Sequence, residues 1–144
     1  MAALLRGFRD FMGRDEPSDE SFDASVERLM ASSECEYLLA SSTPEGVAEA
    51  VCQLRYRYGV WHAAEDCWLE DLYVDQAARR TGLGSSLLAA AISRARARGC
   101  ARVELDTHEA NAAALALYER FGFSPNESTG ERKVFMRLVF DPAS

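Results

Sequence analysis

Leu4, Phe8 and Phe11/Met12 recur at three- to four-residue spacing and Gly13 follows them, which predicts an amphipathic helix stopped at a glycine. Phe22, Val26, Leu29 and Met30 predict a second helix, capped by Ser18 or Ser21 after the break at Pro17. The period then changes from helical to alternating. Residues 36–41 form a short apolar run, Thr43-Pro44-Glu45-Gly46 a turn, and residues 47–61 a long alternating strand. In that strand Cys52, Leu54, Tyr56 and Tyr58 share one face, and Gln53, Arg55 and Arg57 the other. The two runs read as an antiparallel hairpin. Further along, the pattern predicts a third strand at 67–74, a helix at 83–98 ended by Gly99 and a fourth strand at 101–107. A helix at 111–121 and a last strand at 133–140 complete it. The order is αα, βββ, αβαβ, an α/β chain of the mixed (α+β) kind, without repeats, low-complexity tracts or a dividing linker.

At 144 residues the chain has the size of one well-cored domain, expected to cover residues 1–144. No apolar run approaches the ~20 residues of a membrane span, and Arg6, Arg9 and Asp10 interrupt the first thirteen residues, unlike a secretory signal. These features predict a soluble cytoplasmic protein with no membrane partner. Cys35, Cys52, Cys67 and Cys100 form no CxxC, so they are expected as reduced, mostly buried thiols rather than a zinc site or a disulfide framework. The net charge of −7 argues against a nucleic-acid partner. All of it lies in residues 1–50, where eleven acids face four arginines. Such a segment is either a solvated surface or an attractor for a cationic substrate.

Chemistry concentrates between Leu69 and Phe123. Arg79-Arg80-Thr81-Gly82-Leu83-Gly84-Ser85 is a glycine-rich turn feeding a helix, whose free N–H groups and partial positive charge suit an anion. Gly82 and Gly84 let the backbone approach a pyrophosphate, and Arg79 and Arg80 can add charge-assisted contacts. A turn with no ligand explains the bare pattern equally well. A dinucleotide-binding turn fits less well: Leu87 fills its third small position, seven residues separate the strand from Gly82, and an alternating hairpin precedes the unit. In the second segment Asn111 is a favoured N-cap, and Tyr118 lies about two turns (~10 Å) beyond it on the same helical face. Gly122 and Phe123 supply an ordinary C-terminal cap, so capping and core packing account for both residues without excluding chemistry. A phenol of pKa ~10 stays protonated at neutral pH and can donate to a departing thiolate.

With these motifs in place the chain resembles the GNAT superfamily of N-acetyltransferases over nearly its whole length, most specifically from Leu69 to Phe123. The resemblance implies that Arg79, Gly82 and Gly84, within the run from Arg79 to Ser85, hold the pyrophosphate of acetyl-CoA. It also implies that backbone at Leu72, Tyr73 and Val74 pairs with the pantetheine arm, that Asn111 touches that arm and that Tyr118 is the general acid. The strand Leu69-Glu70-Asp71-Leu72-Tyr73-Val74 looks like that of diamine acetyltransferases, which implies Glu70 as the base that removes the amine proton, directly or through water. The family's sheet starts with a strand before the first helix, whereas Met1 to Leu5 enters the helix directly. Either this start lies downstream of the natural one or the sheet lacks that strand; the free edge of the second case, together with apolar Val134, Phe135, Met136, Leu138 and Phe140, predicts a homodimer.

The function expected is acetyl transfer from acetyl-CoA to a small amine, possibly cationic, by direct attack in a ternary complex, with no metal. Backbone N–H of the strand holding Leu72 and Tyr73 is expected to polarise the thioester carbonyl. A salt-bridged strand-end carboxylate is the plainer account of Glu70. From a different class, a non-catalytic acyl-CoA-binding or regulatory domain would keep the turn and turn nothing over. His62 and His108 fall on turns without metal-spaced partners, and Ser85 and Ser86 form no GxSxG, so zinc chemistry and a hydrolase triad are not supported.

Overall fold

The computed structural model describes residues 1–141, which form two compact units, Met1–Leu105 and a second that starts at Asp106. In the first, helix α1 (Ala2–Phe11) ends at Gly13, whose φ of +67° a glycine adopts without strain. Helix α2 (Asp19–Met30) is capped by Ser18, which accepts from the Ser21 N–H, and Asp19 and Glu20 complement its N-terminal dipole. Strands β1 (Cys35–Ala40), β2 (Ala50–Gly59) and β3 (Ala64–Val74) form an antiparallel meander, and β4 (Val103–Glu104) adds in parallel to β3, giving the order β1-β2-β3-β4. Helix α3 (Leu83–Ala97) connects β3 to β4 after a short 3₁₀ turn (Gln76–Ala78). This is the mixed, mostly antiparallel sheet flanked by helices that the sequence pattern predicts.

Helices cover both faces of the sheet. Val51 and Tyr73 face each other across β2 and β3 and form a core with Leu5 of α1 and Val26 of α2. On the other face Cys52, Leu54, Cys67 and Leu69 are buried. Glu36, paired with Leu54 and so on that same face, receives Arg94 Nε of α3 at 2.7 Å and the Tyr56 hydroxyl at 2.9 Å. Arg98 of α3 lies 3.7 Å above the Tyr56 ring centroid and forks onto Glu65 at 2.9 and 3.1 Å. Buried Leu83, Leu87, Leu88, Ala91 and Ala95 fix the helix on the sheet, each leucine contributing about 1.5–3 kcal/mol.

Double coverage explains where the alternation expected for β2 fails. Residues 50–54 are all buried, Gln53 included, and its Nε2 donates to Cys35 Sγ at 3.4 Å. Tyr58, expected to face inward, lies beyond the helices and is exposed. The strand begins at Ala50 rather than at Val47 because both ladders end there, Ala50 standing opposite Ala40 of β1 and Val74 of β3. Three of the four free thiols are buried, and Cys100 is half-buried. Among the described residues no helix is long and apolar enough to cross a membrane.

In the second unit α4 (Ala112–Arg120) starts at Asn111, whose Oδ1 accepts from the Ala114 N–H at 3.2 Å. It ends in a paired cap: Phe123 N–H donates to Tyr118 C=O (3.1 Å), Gly122 N–H to Glu119 C=O (3.0 Å), and Gly122 takes φ +92°. A turn over residues 126–132 follows, with Glu127 N–H on Glu131 C=O at 2.7 Å. Two expected strands are corrected here. The fourth, expected at 101–107, shrinks to Val103–Glu104. The last, expected at 133–140, carries no ladder among the described residues, because a strand exists only through a neighbour to bond with.

Candidate active site

Within the first unit the expected site residues form one continuous path along β3, the turn and the start of α3. The β2–β3 register passes from Gln53 opposite Asp71 to Leu54 opposite Leu69, so Glu70 is an extra, unpaired residue: a β-bulge. The bulge explains why Leu69 and Leu72, three apart, both face α3, and it leaves Glu70 exposed. On the far side of β3, β4 pairs only at Cys67 and Trp68. From Leu69 to Val74 that edge is therefore open among the described residues of this unit. Asp75 N–H bonds Glu49 C=O at 2.8 Å on the β2 side, so by strand alternation the backbone groups of Leu72 and Val74 point to the open edge and those of Tyr73 toward β2. The Tyr73 side chain belongs to the α1–α2 core, stacked on Phe8 with centroids 5.0 Å apart.

The turn is held by its own side chains. Arg79 Nε donates to Val74 C=O at 3.1 Å, and its guanidinium lies 4.3 Å above the Phe11 ring of α1. Its two terminal nitrogens meet no acceptor among the described residues and remain available to an anion. Thr81 Oγ1 donates to Ala78 C=O. Arg80 sits in the left-handed region at φ +64°, a strained conformation for a side-chain-bearing residue, and is exposed. Gly82 follows at φ +85° as the N-cap, without a side chain to bond the helix start. The first intrahelical bond is Ser86 N–H to Gly82 C=O (3.0 Å), so the N–H groups of Leu83, Gly84 and Ser85 stay unbonded at the positive end of the dipole. Leu83 is buried and anchors that end, while Gly84 and Ser85 are half-exposed. In the second unit Asn111 is the N-cap of α4, and the Tyr118 ring meets Phe123 edge-on at 5.8 Å.

The register also reveals a residue with no motif to announce it. Tyr37 of β1 stands opposite Gln53, which stands opposite Asp71, one residue from the bulge. Burial, then the neighbouring Cys35 and Asp71, pushes its phenol up to about 12, so it stays protonated at neutral pH. The three-residue spacing of Leu69 and Leu72 is the one sequence signal for this geometry, since it breaks plain alternation.

An open strand edge ending at an uncapped, glycine-started helix offers backbone donors and acceptors that suit an extended chain carrying a phosphate. Residues 2–123 match the Acetyltransferase (GNAT) family. The chain belongs to this family. Its GNAT fold superposes on the crystal structure of a probable acetyltransferase with a TM-score of 0.87 and 26% identity, covering 98% of this chain and 91% of that one. Mycothiol acetyltransferase of Streptosporangium roseum is 51% identical over 51 residues, 35% of this chain and 15% of that protein. Aminoglycoside N(6')-acetyltransferase type 1 of Klebsiella aerogenes is 34% identical over 93 residues, 60% of this chain and 59% of that protein. The chain thus spans less than two thirds of these curated relatives.

Proposed function

We propose that residues 1–144 act as one acyl-CoA N-acyltransferase domain, transferring acetyl from acetyl-CoA to a small, cationic amine in a ternary complex in the cytoplasm. The observation that carries this reading is the open edge of β3 running into the unbonded amides of Leu83, Gly84 and Ser85. Pantetheine amides match the outward groups of Leu72 and Val74, and the pyrophosphate matches the helix start with Arg79 and Arg80 beside it. By the family resemblance Asn111 is assigned to the same arm.

The chemistry follows from these assignments. An alkylammonium of pKa ~10 loses a proton to Glu70, directly or through water. The freed lone pair forms the C–N bond at the thioester carbonyl, whose developing oxyanion is met by outward backbone N–H on β3. Collapse breaks the C–S bond, Tyr118 protonates the thiolate, and the amide nitrogen sheds its second proton to solvent. Glu70, Asp71 and the neutral Tyr37 phenol suit a cationic acceptor, and so does the acidic first third of the chain. The aminoglycoside-acetylating relative fits that choice. We also take the active form to be a homodimer.

A panel of diamines, aminoglycosides and neutral amines with acetyl-CoA, read by free-CoA release and by mass of the acetylated product, tests the reading. Turnover with a cationic amine supports it. Acetyl-CoA binding with no acetylated product across the panel would favour the non-catalytic acyl-CoA-binding module instead.

A further inference from the structure

Helix α1 reaches the turn from Arg79 to Ser85 through one side chain. Phe11 is the last residue of α1, and a paired cap closes the helix just beyond it. Gly13 N–H donates to Asp10 C=O (2.9 Å) and Arg14 N–H to Arg9 C=O (3.2 Å), with Gly13 at φ +67°. Core packing does not account for the Phe11 ring, which is 53% exposed. The helix is anchored by other residues: Leu5 lies in the core, and Phe8 stacks on Tyr73 with centroids 5.0 Å apart. Phe11 meets Tyr73 only at 6.4 Å, tilted by 46°. Its nearer neighbour is Arg79, whose guanidinium carbon lies 4.3 Å above the Phe11 ring centroid and 5.8 Å from that of Tyr73.

A mobile arginine gives up rotamer freedom when it binds an anion, and that loss weakens binding. Arg79 is ordered beforehand at two points. Its Nε donates to Val74 C=O at 3.1 Å, and its guanidinium rests on the aromatic ring at the end of α1. Asp10, the carboxylate next to Phe11 in the chain, is occupied by Arg9 at 2.9 and 2.8 Å, and no carboxylate among the described residues pairs with Arg79. The two terminal nitrogens of the fork are thereby presented in one orientation. We infer that Phe11 is a positioning residue for cofactor binding: its ring holds the Arg79 guanidinium in the orientation that meets a pyrophosphate. Helix α1 thus contributes to binding without supplying a donor of its own. The inference rests on the reading of Arg79 as a pyrophosphate ligand.

A double-mutant cycle of Phe11 and Arg79, read by calorimetry with CoA, tests it. Phe11→Ala should raise the Kd for CoA roughly 2–5-fold, the range of a cation–π contact at an exposed site. In an Arg79→Ala background the same change should add nothing, because the residue it acts through is gone. Phe11→Tyr, which keeps the ring face, should restore wild-type affinity, whereas Phe11→Leu, which keeps only apolar bulk, should behave as alanine does. If Phe11→Ala fails to fold, Phe11→Leu in the two arginine backgrounds decides. An unchanged Kd in Phe11→Ala, an equal loss in both backgrounds or full rescue by leucine overturns the role of Phe11 and leaves Arg79 as a ligand. Arg79→Ala with wild-type affinity for CoA overturns the ligand reading itself, and the role of Phe11 with it.

Discussion

Replacing Gly82 by alanine separates the turn's backbone conformation from everything else that holds it. Gly82 takes φ +85° and ψ 2°, and a Cβ built there meets no atom within 4 Å. Contact with neighbours therefore adds nothing, and the cost is the backbone's own, about 1–2 kcal/mol for an L residue in the left-handed region. Alanine also narrows the unfolded ensemble, which returns about 0.4–1 kcal/mol. The net loss of about 0–1.6 kcal/mol, ~0.8 at mid-range, lowers Tm by up to roughly 6 °C for a chain of this size. Asparagine tolerates the region better and should lose less. Arg80, already strained at φ +64°, gives the opposite sign: Arg80→Gly relieves the conformation and should leave stability unchanged or raised. Urea melts measure both, and calorimetry measures acetyl-CoA. Any relaxation of φ at Gly82 re-aims the Leu83, Gly84 and Ser85 amides, so affinity should fall at least ~10-fold, about 1.4 kcal/mol. A Gly82→Ala protein clearly more stable than wild type, or one with acetyl-CoA affinity intact, would refute the reasoning.

Tyr118→Phe should lower kcat by roughly 10²-fold or more with acetyl-CoA affinity nearly unchanged, and normal turnover would assign the proton to water or another group. Glu70→Gln should move the activity profile to higher pH, where the amine is already free; an unchanged profile would remove Glu70 as base. Two bonds from Ser42, through its hydroxyl and its N–H, hold the Glu49 carboxyl below its ordinary value, and the Arg98 fork does the same to Glu65. A lowered carboxyl contributes stability above its unfolded value of 4.5 and loses it as pH falls through the folded one, so urea midpoints should drop below about pH 4.5 and drop less in Glu49→Gln. Burial pushes the Cys52 and Cys67 thiols up to about 12, so their protons favour the fold up to the unfolded value of 9.0 and that contribution is lost as pH rises toward 12. Neither thiol should react with a disulfide reagent at neutral pH before unfolding, and rapid modification of Cys52 would contradict the packing around it.

The parts of the fold legible in the sequence are those fixed by local chemistry. Ser18 and Asn111 are caps because short polar side chains bond helix N–H groups wherever they stand, and Gly122 with Phe123 closes α4 for an equally local reason. The turn from Arg79 to Ser85 is legible as a helix start, since glycines before an apolar helical stripe mark one. What escapes the sequence depends on neighbours. Gln53 reads as an outward residue until helices cover both faces of β2. Arg79 reads as a phosphate ligand, with no hint that Val74 C=O and the Phe11 ring hold its stem. Residues 133–140 read as a strand because their composition suits one, whereas a ladder needs a bonded neighbour that composition does not supply. Tyr37 is invisible as a site residue because only the register brings it level with Asp71.

The bulge at Glu70 has a consequence for what the core can and cannot preserve. Remove that one residue and Leu69, Asp71 and Leu72 alternate as in any plain strand, Leu54 still opposite Leu69 and Gln53 still opposite Asp71. Leu69 and Leu72 would keep facing α3, and Asp71 and Tyr73 would keep facing α1 and α2. Folding is therefore indifferent to the residue, and by the entropy of one fewer ordered position would even gain from its loss. A lineage under pressure for stability alone would be free to delete Glu70. The carboxylate at that place is one the strand's own alternation does not require.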